Sequence, residues 1–304
     1  MDRGYDDGRL AVRTAQSPRT RPAPSRVSGA QAVTALQRSA GNAAVVRLLS
    51  RSATAEDQAS AEHLVDQAGS LTGPWSKLDW TQVAKSAHDR VQHPEKINQN
   101  PLGLCGPAAV LNYLAETEPG TFTYDVESVF EDGDWDGKRF NSTLLANSTM
   151  PGMDPLDWMM LSAMQDNAND VLDYYGRETK VRDGESAGDL KHTMLAWTKI
   201  QDTAHYTCSY WGVEDETKRV SDLLRNYGDD VCVVIEVDST TLQNENARDS
   251  NDHYVRLRKP IDYGDTVSFE IFTWGSNRSL KFKKDNFDHM VDGYIVGARR
   301  PGIL

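Results

Sequence analysis

The sequence predicts an α+β fold in which a helical first half packs against a mostly antiparallel sheet built by the second half. Three observations lead to this prediction. Apolar residues recur at helical spacing between residues 75 and 200, strand-like runs dominate after residue 200, and the first 72 residues are polar and Arg-rich. We therefore divide the chain into an N-terminal segment, residues 1–72, and a folded domain, residues 73–304.

The N-terminal segment is expected to be disordered or partly helical. Residues 1–30 are rich in Pro, Ser, Arg and Gly and offer little to bury. The stretch "AVTALQRSAGNAAVVRLLSRS" has apolar residues near helical spacing, but Gly41 interrupts it. Residues 1–60 carry nine Arg and no Lys against five acids, a net charge of +4, and the remainder (24 basic, 40 acidic) carries −16. The opposite charges indicate a separate functional unit.

Four helices are predicted in the first half of the domain. They are "PWSKLDWTQVAKSAHDRVQ", "CGPAAVLNYLAETE", "DPLDWMMLSAMQDNANDVLDYYG" and "SAGDLKHTMLAWT". In the second, apolar residues between Ala108 and Ala115 share one helical face. Asp154 is the expected N-cap of the third helix and Gly176 its stop, and Ser186 is the expected cap of the fourth.

Five strands are predicted in the second half. They are "AHYTCSYWG", "DVCVVIEVD", "DHYVRLR", "DTVSFEIFTWG" and "HMVDGYIVGARR", with the helix "ETKRVSDLLRNYGDD" between the first two. The run "VCVVIEV" is nearly continuously apolar, which is typical of a central strand. The run "TVSFEIFT" alternates, so that Val267, Phe269, Ile271 and Thr273 share one face.

Composition argues against several classes of protein. No apolar run approaches the roughly 18 residues of a membrane span, and no apolar signal-peptide core is visible near the N-terminus. Three scattered cysteines suit neither a disulfide framework nor a zinc site, which favours folding in a reducing cytosol and leaves other export routes open. The acidic domain argues against nucleic acid and against anionic membranes or wall polymers as partners. No feature calls for a metal or an organic cofactor.

Cys105 is the candidate nucleophile. It stands in "NQNPLGLCGPAAVLNYL", directly before Gly106, Pro107 and a run of good helix formers. At a helix N-terminus the positive end of the macrodipole favours thiolate over thiol. Gly106 permits close approach of a substrate, and Pro107 suits the first helical turn. The competing interpretation is a buried structural cysteine, which is the commoner role of a free thiol.

Gln99 and His253 are the candidate partners of Cys105. Gln99 precedes it by six residues in a loop, where the amide could donate to an oxyanion beside the Cys105 backbone N–H. His253 enters the strand "HYVRLR" from a polar loop and could form a thiolate–imidazolium pair with Cys105. We prefer it to the six other histidines, which lie in polar helical or loop settings, within a helix, at a strand start or in a late turn: His63, His88, His93, His192, His205 and His289.

These motifs resemble a papain-like cysteine peptidase. The resemblance consists of Q-x5-C-G-P-A, a strand-borne His about 150 residues later and a strand ending in "TWG". The first motif is most similar to the bacteriocin-processing peptidase domains of bacterial exporters. The elements "GLCGPAA", "DPLDWMMLSAMQD", "HYVRL" and "FTWG" are also similar to uncharacterised bacterial toxin-type proteins. The resemblance covers residues 75–300 in element order, with three short motifs matching in detail, and it implies a papain-like fold.

One position departs from papain. There the orienting Asn stands two residues before the Trp, whereas here that position is Phe272, which cannot orient an imidazole. Thr273, Glu270 and Asn277 are the candidates for the third role, and a Cys–His dyad is the alternative. Trp274 is expected to shield the site or to be a core aromatic.

The N-terminal segment carries a second resemblance. "LQRSAGNAAVVRLL" is similar to a short motif near the N-termini of proteins carried by extracellular contractile injection systems. This implies a protein made in the bacterial cytoplasm, packaged through residues 1–52 against tube or tail components, and delivered to a target cell.

Together these features predict an effector or toxin with thiol chemistry on a protein substrate. Peptide-bond hydrolysis is the first expectation, and deamidation or transglutamination would use the same acyl intermediate. A catalytically silent papain-like fold, serving as a structural or plug component of the particle, is an alternative that Phe272 keeps open. A peptidoglycan amidase is a third, against which the acidic domain and the lack of a wall-binding repeat argue.

Overall fold

The computed structural model describes residues 71–100, 102–135, 137–146, 152–169, 186–209, 212–244 and 252–304. All of them belong to one compact unit, Arg47–Leu304. The predictions for residues 1–70 and for the stop at Gly176 lie outside these ranges. Within these ranges no helix has the length and apolar character to cross a bilayer, and no group of three or more His, Cys, Asp or Glu is placed to hold a metal ion.

The helices of the described residues are α1 Trp80–Gln92, α2 Cys105–Thr117, α3 Pro119–Asp132, α4 Ser142–Ala146, α5 Pro155–Ala168, α6 Ala187–Trp197, α7 Val213–Tyr227, α8 Ser239–Gln243 and α9 Lys284–Met290. Short 3₁₀ turns span Pro94–Lys96 and Gly228–Asp230. The helices α3, α4, α8 and α9 were not predicted from the sequence.

The strands are β1 Asp134–Trp135, β2 Lys138–Arg139, β3 Asp202–Thr207, β4 Val231–Asp238, β5 Asp252–Leu257, β6 Thr266–Thr273, β7 Ser276–Lys283 and β8 Val291–Ala298. β1 and β2 form a small ribbon. The other six form a sheet in the order β3-β8-β4-β5-β6-β7, and every neighbouring pair in it is antiparallel. The predicted α+β fold with a mostly antiparallel sheet is confirmed, and β7 is an additional strand.

Side-chain caps set the starts of α1, α5 and α6, as well as that of the short helix α8. The Asp79 carboxylate accepts from the backbone N–H groups of Thr81 and Gln82, so α1 begins later than predicted. Asp154 caps α5 through the N–H of Leu156, and Ser186 caps α6 with a reciprocal capping box. The two predicted caps are therefore confirmed.

The sheet separates two apolar cores. Cys232, Val234, Tyr254, Phe272 and Ile295 lie on the face that packs against α1–α6, which we call the α2 face. The other face packs against α7 and α9 through alternating residues of the same strands, among them Val233, Val255, Ile271, Phe282 and Val296. One helical layer was predicted, and α7 and α9 form a second on the other face of the sheet. Helix α2 is buried from Gly106 to Ala115, so it is a central helix with no exposed stripe along that stretch.

Charged side chains align α2 with β5. Arg256 donates through Nη1 to Asn112 Oδ1 at 2.7 Å and to Glu116 Oε2 at 2.5 Å. Arg258, the residue directly after β5, pairs with the other oxygen of Glu116. The earlier residue, Arg256, contacts Asn112 and Glu116, and the later residue, Arg258, contacts only the later of these two, Glu116. The helix α2 and the strand β5 therefore run in the same direction. This alignment fixes which end of β5 lies beside the start of α2.

Candidate functional site

Cys105 is the first residue of α2. Its side chain is partly buried and packs against the core of the α2 face. The intrahelical hydrogen bonds begin when the Ala108 N–H donates to the Leu104 carbonyl at 3.0 Å. The N–H groups before that point project from the helix N-terminus, where they favour negative charge. Cys105 therefore stands at a helix start, as predicted.

Gln99 lies in a tightly held loop, residues 98–100, which we call the Gln99 loop. Gln99 is buried, and its backbone carbonyl accepts a hydrogen bond from the backbone N–H of Leu102 at 3.2 Å. The Asn98 Oδ1 accepts from the Asn100 N–H at 2.9 Å, and Asn100 Nδ2 donates to the Gly152 carbonyl at 3.0 Å. Asn100 adopts φ 55°, which asparagine tolerates better than most residues. These bonds fix the backbone that carries the Gln99 amide.

A buried ion pair supports this loop and was missed by the sequence analysis. Asp157 Oδ2 accepts from the Asn98 N–H at 3.0 Å, and Arg90 donates to both carboxylate oxygens at 3.2 and 2.9 Å. Burial raises the pKa of Asp157 to about 6, against the opposing pull of the Arg90 guanidinium. The sequence signal was an aspartate inside the apolar run "PLDWMMLSAM", because a buried carboxylate requires partners.

His253 lies at the start of β5 in a cluster with Thr273 and Trp274, which we call the His253 cluster. Its ring stacks on Trp274 at 4.3 Å between centroids with 8° between planes, and its Nε2 lies 2.8 Å from Thr273 Oγ1. Burial lowers the pKa of His253 to about 4. The ring is therefore neutral at pH 7. It can accept a proton, but it is not the imidazolium expected for a preformed ion pair with Cys105.

The turn beside this cluster has an unusual backbone. Trp274 and Gly275 have φ 44° and 72° and form the two-residue connection between β6 and β7. Two positive φ values match the hairpin turn whose twist suits antiparallel strands, and Trp274 holds its value at a cost of roughly 1–2 kcal/mol. A Cβ on Gly275 would lie 3.1 Å from Asn98 Nδ2. The turn thus sits directly against the Gln99 loop.

The three candidates for the orienting role occupy different places. Thr273 contacts the imidazole of His253. Glu270 forms ion pairs with Arg258 and Lys259, the two residues that follow β5. Asn277 is exposed on β7 opposite Phe272, which is itself buried in the core of the α2 face. Of the three, Thr273 is the one that the described contacts bring to His253.

Cys105 and His253 lie at the same end of the sheet. Asn112 contacts Arg256, and Cys105 precedes Asn112 by seven residues, or about 10 Å of helix. His253 precedes Arg256 by three residues, or about 10 Å of strand. Since α2 and β5 run in the same direction, both steps end at the same level. The Gln99 loop reaches this level as well, through the contact of Asn98 with Gly275.

Their side chains nevertheless belong to opposite faces of the sheet. His253 alternates with Val255 and Leu257, which line the face away from α2, and its stacking partner Trp274 packs against that same core. Two residue pairs form the backbone ladder between β5 and β6: Arg256 with Phe272 and Leu257 with Ile271. Both pairs lie further from this end of the sheet than His253 does. The thiol and the imidazole therefore lie on opposite faces near this end of the sheet, where the contact of His253 with Thr273 joins β5 and β6 through side chains.

The pH dependence of the free energy of unfolding should show that His253 is neutral in the folded protein. The unfolded chain takes up a proton near pH 6.5, whereas the folded protein does so only near pH 4. The free energy of unfolding should therefore fall by about 3 kcal/mol from this group as pH drops from 7 to 4. Denaturant titrations of wild type and His253→Gln should converge by that amount over this range. Parallel pH curves for the two proteins would show that the ring titrates normally.

The two other cysteines differ from Cys105. Cys232 is the second residue of β4 and is buried, and burial raises its pKa to about 12. Burial also raises the pKa of Cys208 to about 12, with nearby carboxylates adding to the effect. Both are internal references for the reactivity of Cys105.

Comparison with known proteins assigns no family: no protein-family model matches the chain, and no curated protein or solved structure matches it.

Proposed function

We propose that the protein is a thiol-dependent acyl-transfer enzyme acting on protein substrates, with Cys105 as the nucleophile, His253 as the proton acceptor and Gln99 as an oxyanion donor. The observation that carries the proposal is the convergence of α2, the Gln99 loop and the His253 cluster at one end of the sheet, linked by the contact of Asn98 with Gly275.

The neutral imidazole defines the order of proton transfers. The Cys105 sulfur attacks a carbonyl carbon as its proton passes to His253, whose Nε2 is held by Thr273, and Gln99 and the Cys105 N–H stabilise the oxyanion. Collapse of the tetrahedral intermediate breaks the C–N bond, and the leaving amine takes the proton from the imidazolium. Water then hydrolyses the thioester, with His253 again serving as base.

The substrate group decides the product. A peptide carbonyl gives a new amino terminus, which is our first proposal. A glutamine carboxamide gives ammonia and either a glutamate or, with an amine as acceptor, a cross-link. All three outcomes pass through the same thioester at Cys105.

Unfolded casein tests the activity because its cleavage and deamidation are measured separately. New amino termini report peptide hydrolysis and ammonia reports attack on glutamine. In the Gln99→Ala variant we expect the faster of the two signals to fall about a hundredfold with KM little changed, since an oxyanion donor acts in the transition state. Gln92→Ala, which removes an exposed glutamine at the last residue of α1, is the control. An unaltered rate in Gln99→Ala would assign the oxyanion site to backbone groups alone.

A catalytically silent fold is the second candidate function. It is favoured by the face on which His253 lies, by its buried neutral ring and by Phe272 in the core. In this case the protein would be a structural or plug component of a particle. It predicts no casein signal that depends on Cys105.

For delivery we propose that residues 1–52 direct the protein into the tube of a contractile injection particle. The support is the motif "LQRSAGNAAVVRLL" and the positive charge of this segment beside an acidic domain. Fusion of residues 1–52 to an unrelated small protein tests the idea. Packaging of the fusion supports an address in this segment, and its exclusion, with the intact chain packaged, contradicts it.

A further inference from the structure

We propose that Asp157 and Arg90 form a positioning pair that acts through Asn98 on both the Gln99 loop and the His253 cluster. The pair touches no substrate. The inference rests on the proposed function for its catalytic consequence, but its structural part is independent of any activity.

Asp157 collects three donors on one carboxylate. Arg90 supplies Nε and Nη2, and the backbone N–H of Asn98 supplies the third at 3.0 Å. The Asp157 side chain is 1% exposed. Arg90 also forms ion pairs with Asp89, its neighbour in α1, and with Asp154, the N-cap of the helix α5 that carries Asp157. Asp157 therefore holds the Asn98 backbone through a carboxylate whose two oxygens are both oriented by Arg90.

Asn98 transmits that position in two directions. Along the chain it is the neighbour of Gln99, and its Oδ1 closes the loop by accepting from Asn100 N–H. Across the structure its side chain lies against Gly275, where no Cβ could fit without displacement. Because Gly275 follows Trp274, on which His253 stacks, a shift of Asn98 moves the support of the imidazole as well.

A contribution to folding stability does not by itself explain why the protein has this buried ion pair. A buried ion pair often contributes no more than apolar side chains of similar volume, because both charges lose their hydration. In this pair, Asp157 accepts a further hydrogen bond from the backbone N–H of Asn98, which belongs to a loop and not to the helix of Asp157. A displacement of about 1 Å in a catalytic group can lower a rate by as much as a hundredfold.

The matched control lies at the other end of α2. Glu118 is likewise 1% exposed, accepts from the guanidinium of Arg299 at 2.8 Å and accepts a backbone N–H, that of Lys199, at 3.1 Å. Its loss should disturb a comparable buried pair far from Cys105. Asp157→Asn and Glu118→Gln therefore compare two similar lesions: Asp157 in α5 supports the loop that precedes α2, and Glu118 directly follows the last residue of α2.

The test is nuclear magnetic resonance of the full chain, read at the Gln99 side-chain amide and the His253 ring. Asp157→Asn replaces one acceptor oxygen with a donor, so we expect both signals to shift or broaden, and in Glu118→Gln we expect both to stay in place. On casein, Asp157→Asn should lower kcat ten- to a hundredfold with KM unchanged. Asn98→Ala, which keeps the backbone N–H but loses the contact with Gly275, should move the His253 signal in the same way.

Unmoved Gln99 and His253 signals in Asp157→Asn would overturn the proposal and leave the pair as a structural one. If Asp157→Asn does not fold, Asn98→Ala decides: an unmoved His253 ring signal rejects the coupling. If wild-type protein leaves casein unchanged, the proposed activity on casein fails, while the resonance comparison still decides whether the pair positions the two groups.

Discussion

The Cys105→Ala variant is expected to release new amino termini or ammonia from casein at least about a thousandfold more slowly than wild type, because no other group in the site can form the thioester. Cys105 stands at the first residue of α2 and is partly buried, so the free energy of unfolding should change by about 1 kcal/mol. The measurement is the initial rate of both products, together with a denaturant titration of each protein.

Cys208→Ala is the matched control for this loss. Cys208 is also partly buried but lies after β3, and the elevated pKa of its thiol makes it a poor nucleophile. This variant should keep the wild-type rate. Unchanged turnover in Cys105→Ala would remove Cys105 from the chemistry, and unfolding of that variant would identify it as a core residue.

The Glu116→Ala variant is expected to lose about 3–5 kcal/mol of stability, the usual cost of leaving a buried charge without its partner. Glu116 pairs with both Arg256 and Arg258, and the Arg256 side chain is 7% exposed. Nearby arginines lower the pKa of Glu116 in spite of its burial, so its carboxylate is charged at neutral pH. Asn112 and the ring of Tyr113 remain as partners of Arg256 and should hold the loss within this range.

Denaturant unfolding measures this loss, and Glu214→Ala is its control. Glu214 also pairs with two basic residues, Lys218 and Lys284, but on the surface, so its removal should leave stability nearly unchanged. In a double variant, Arg256→Met together with Glu116→Ala should recover part of the loss. Equal small losses in Glu116→Ala and Glu214→Ala would show that Arg256 finds solvent and does not fix α2 on β5.

Much of the fold could be predicted from local patterns. The central strand β4 and the alternating strand β6 have the apolar patterns of their burial, and their predicted ranges agree with the structure to within a few residues. β7 was missed because an edge strand with "SNRSLKFK" has few apolar residues, and its pairing depends on the turn at Trp274 and Gly275. α3 was missed because Gly and Thr near its start are poor helix formers, and burial of Phe122, Val126 and Val129 compensates for them.

The site could be predicted only in part. Cys105 at a helix start and His253 at a strand start were both readable from local sequence, as was the position of Thr273 in the alternation. Which face of β5 meets α2 could not be read, because it depends on the long-range contact of Arg256 with Asn112. The support of the Gln99 loop by Asp157 joins residues nearly 60 positions apart, and no local pattern encodes it.

The coupling of Cys105 to His253 is the central claim, and the pH dependence of alkylation by iodoacetamide tests it most directly. Cys208 and Cys232, with pKa values of about 12, present only about one thiolate in 10⁵ at pH 7 and are the internal references. We predict that Cys105 reacts first in wild type, and that in His253→Gln its rate falls and its pH profile shifts upward. A Cys105 profile that is identical in the two proteins, or a Cys105 rate no higher than that of Cys208, would contradict the claim.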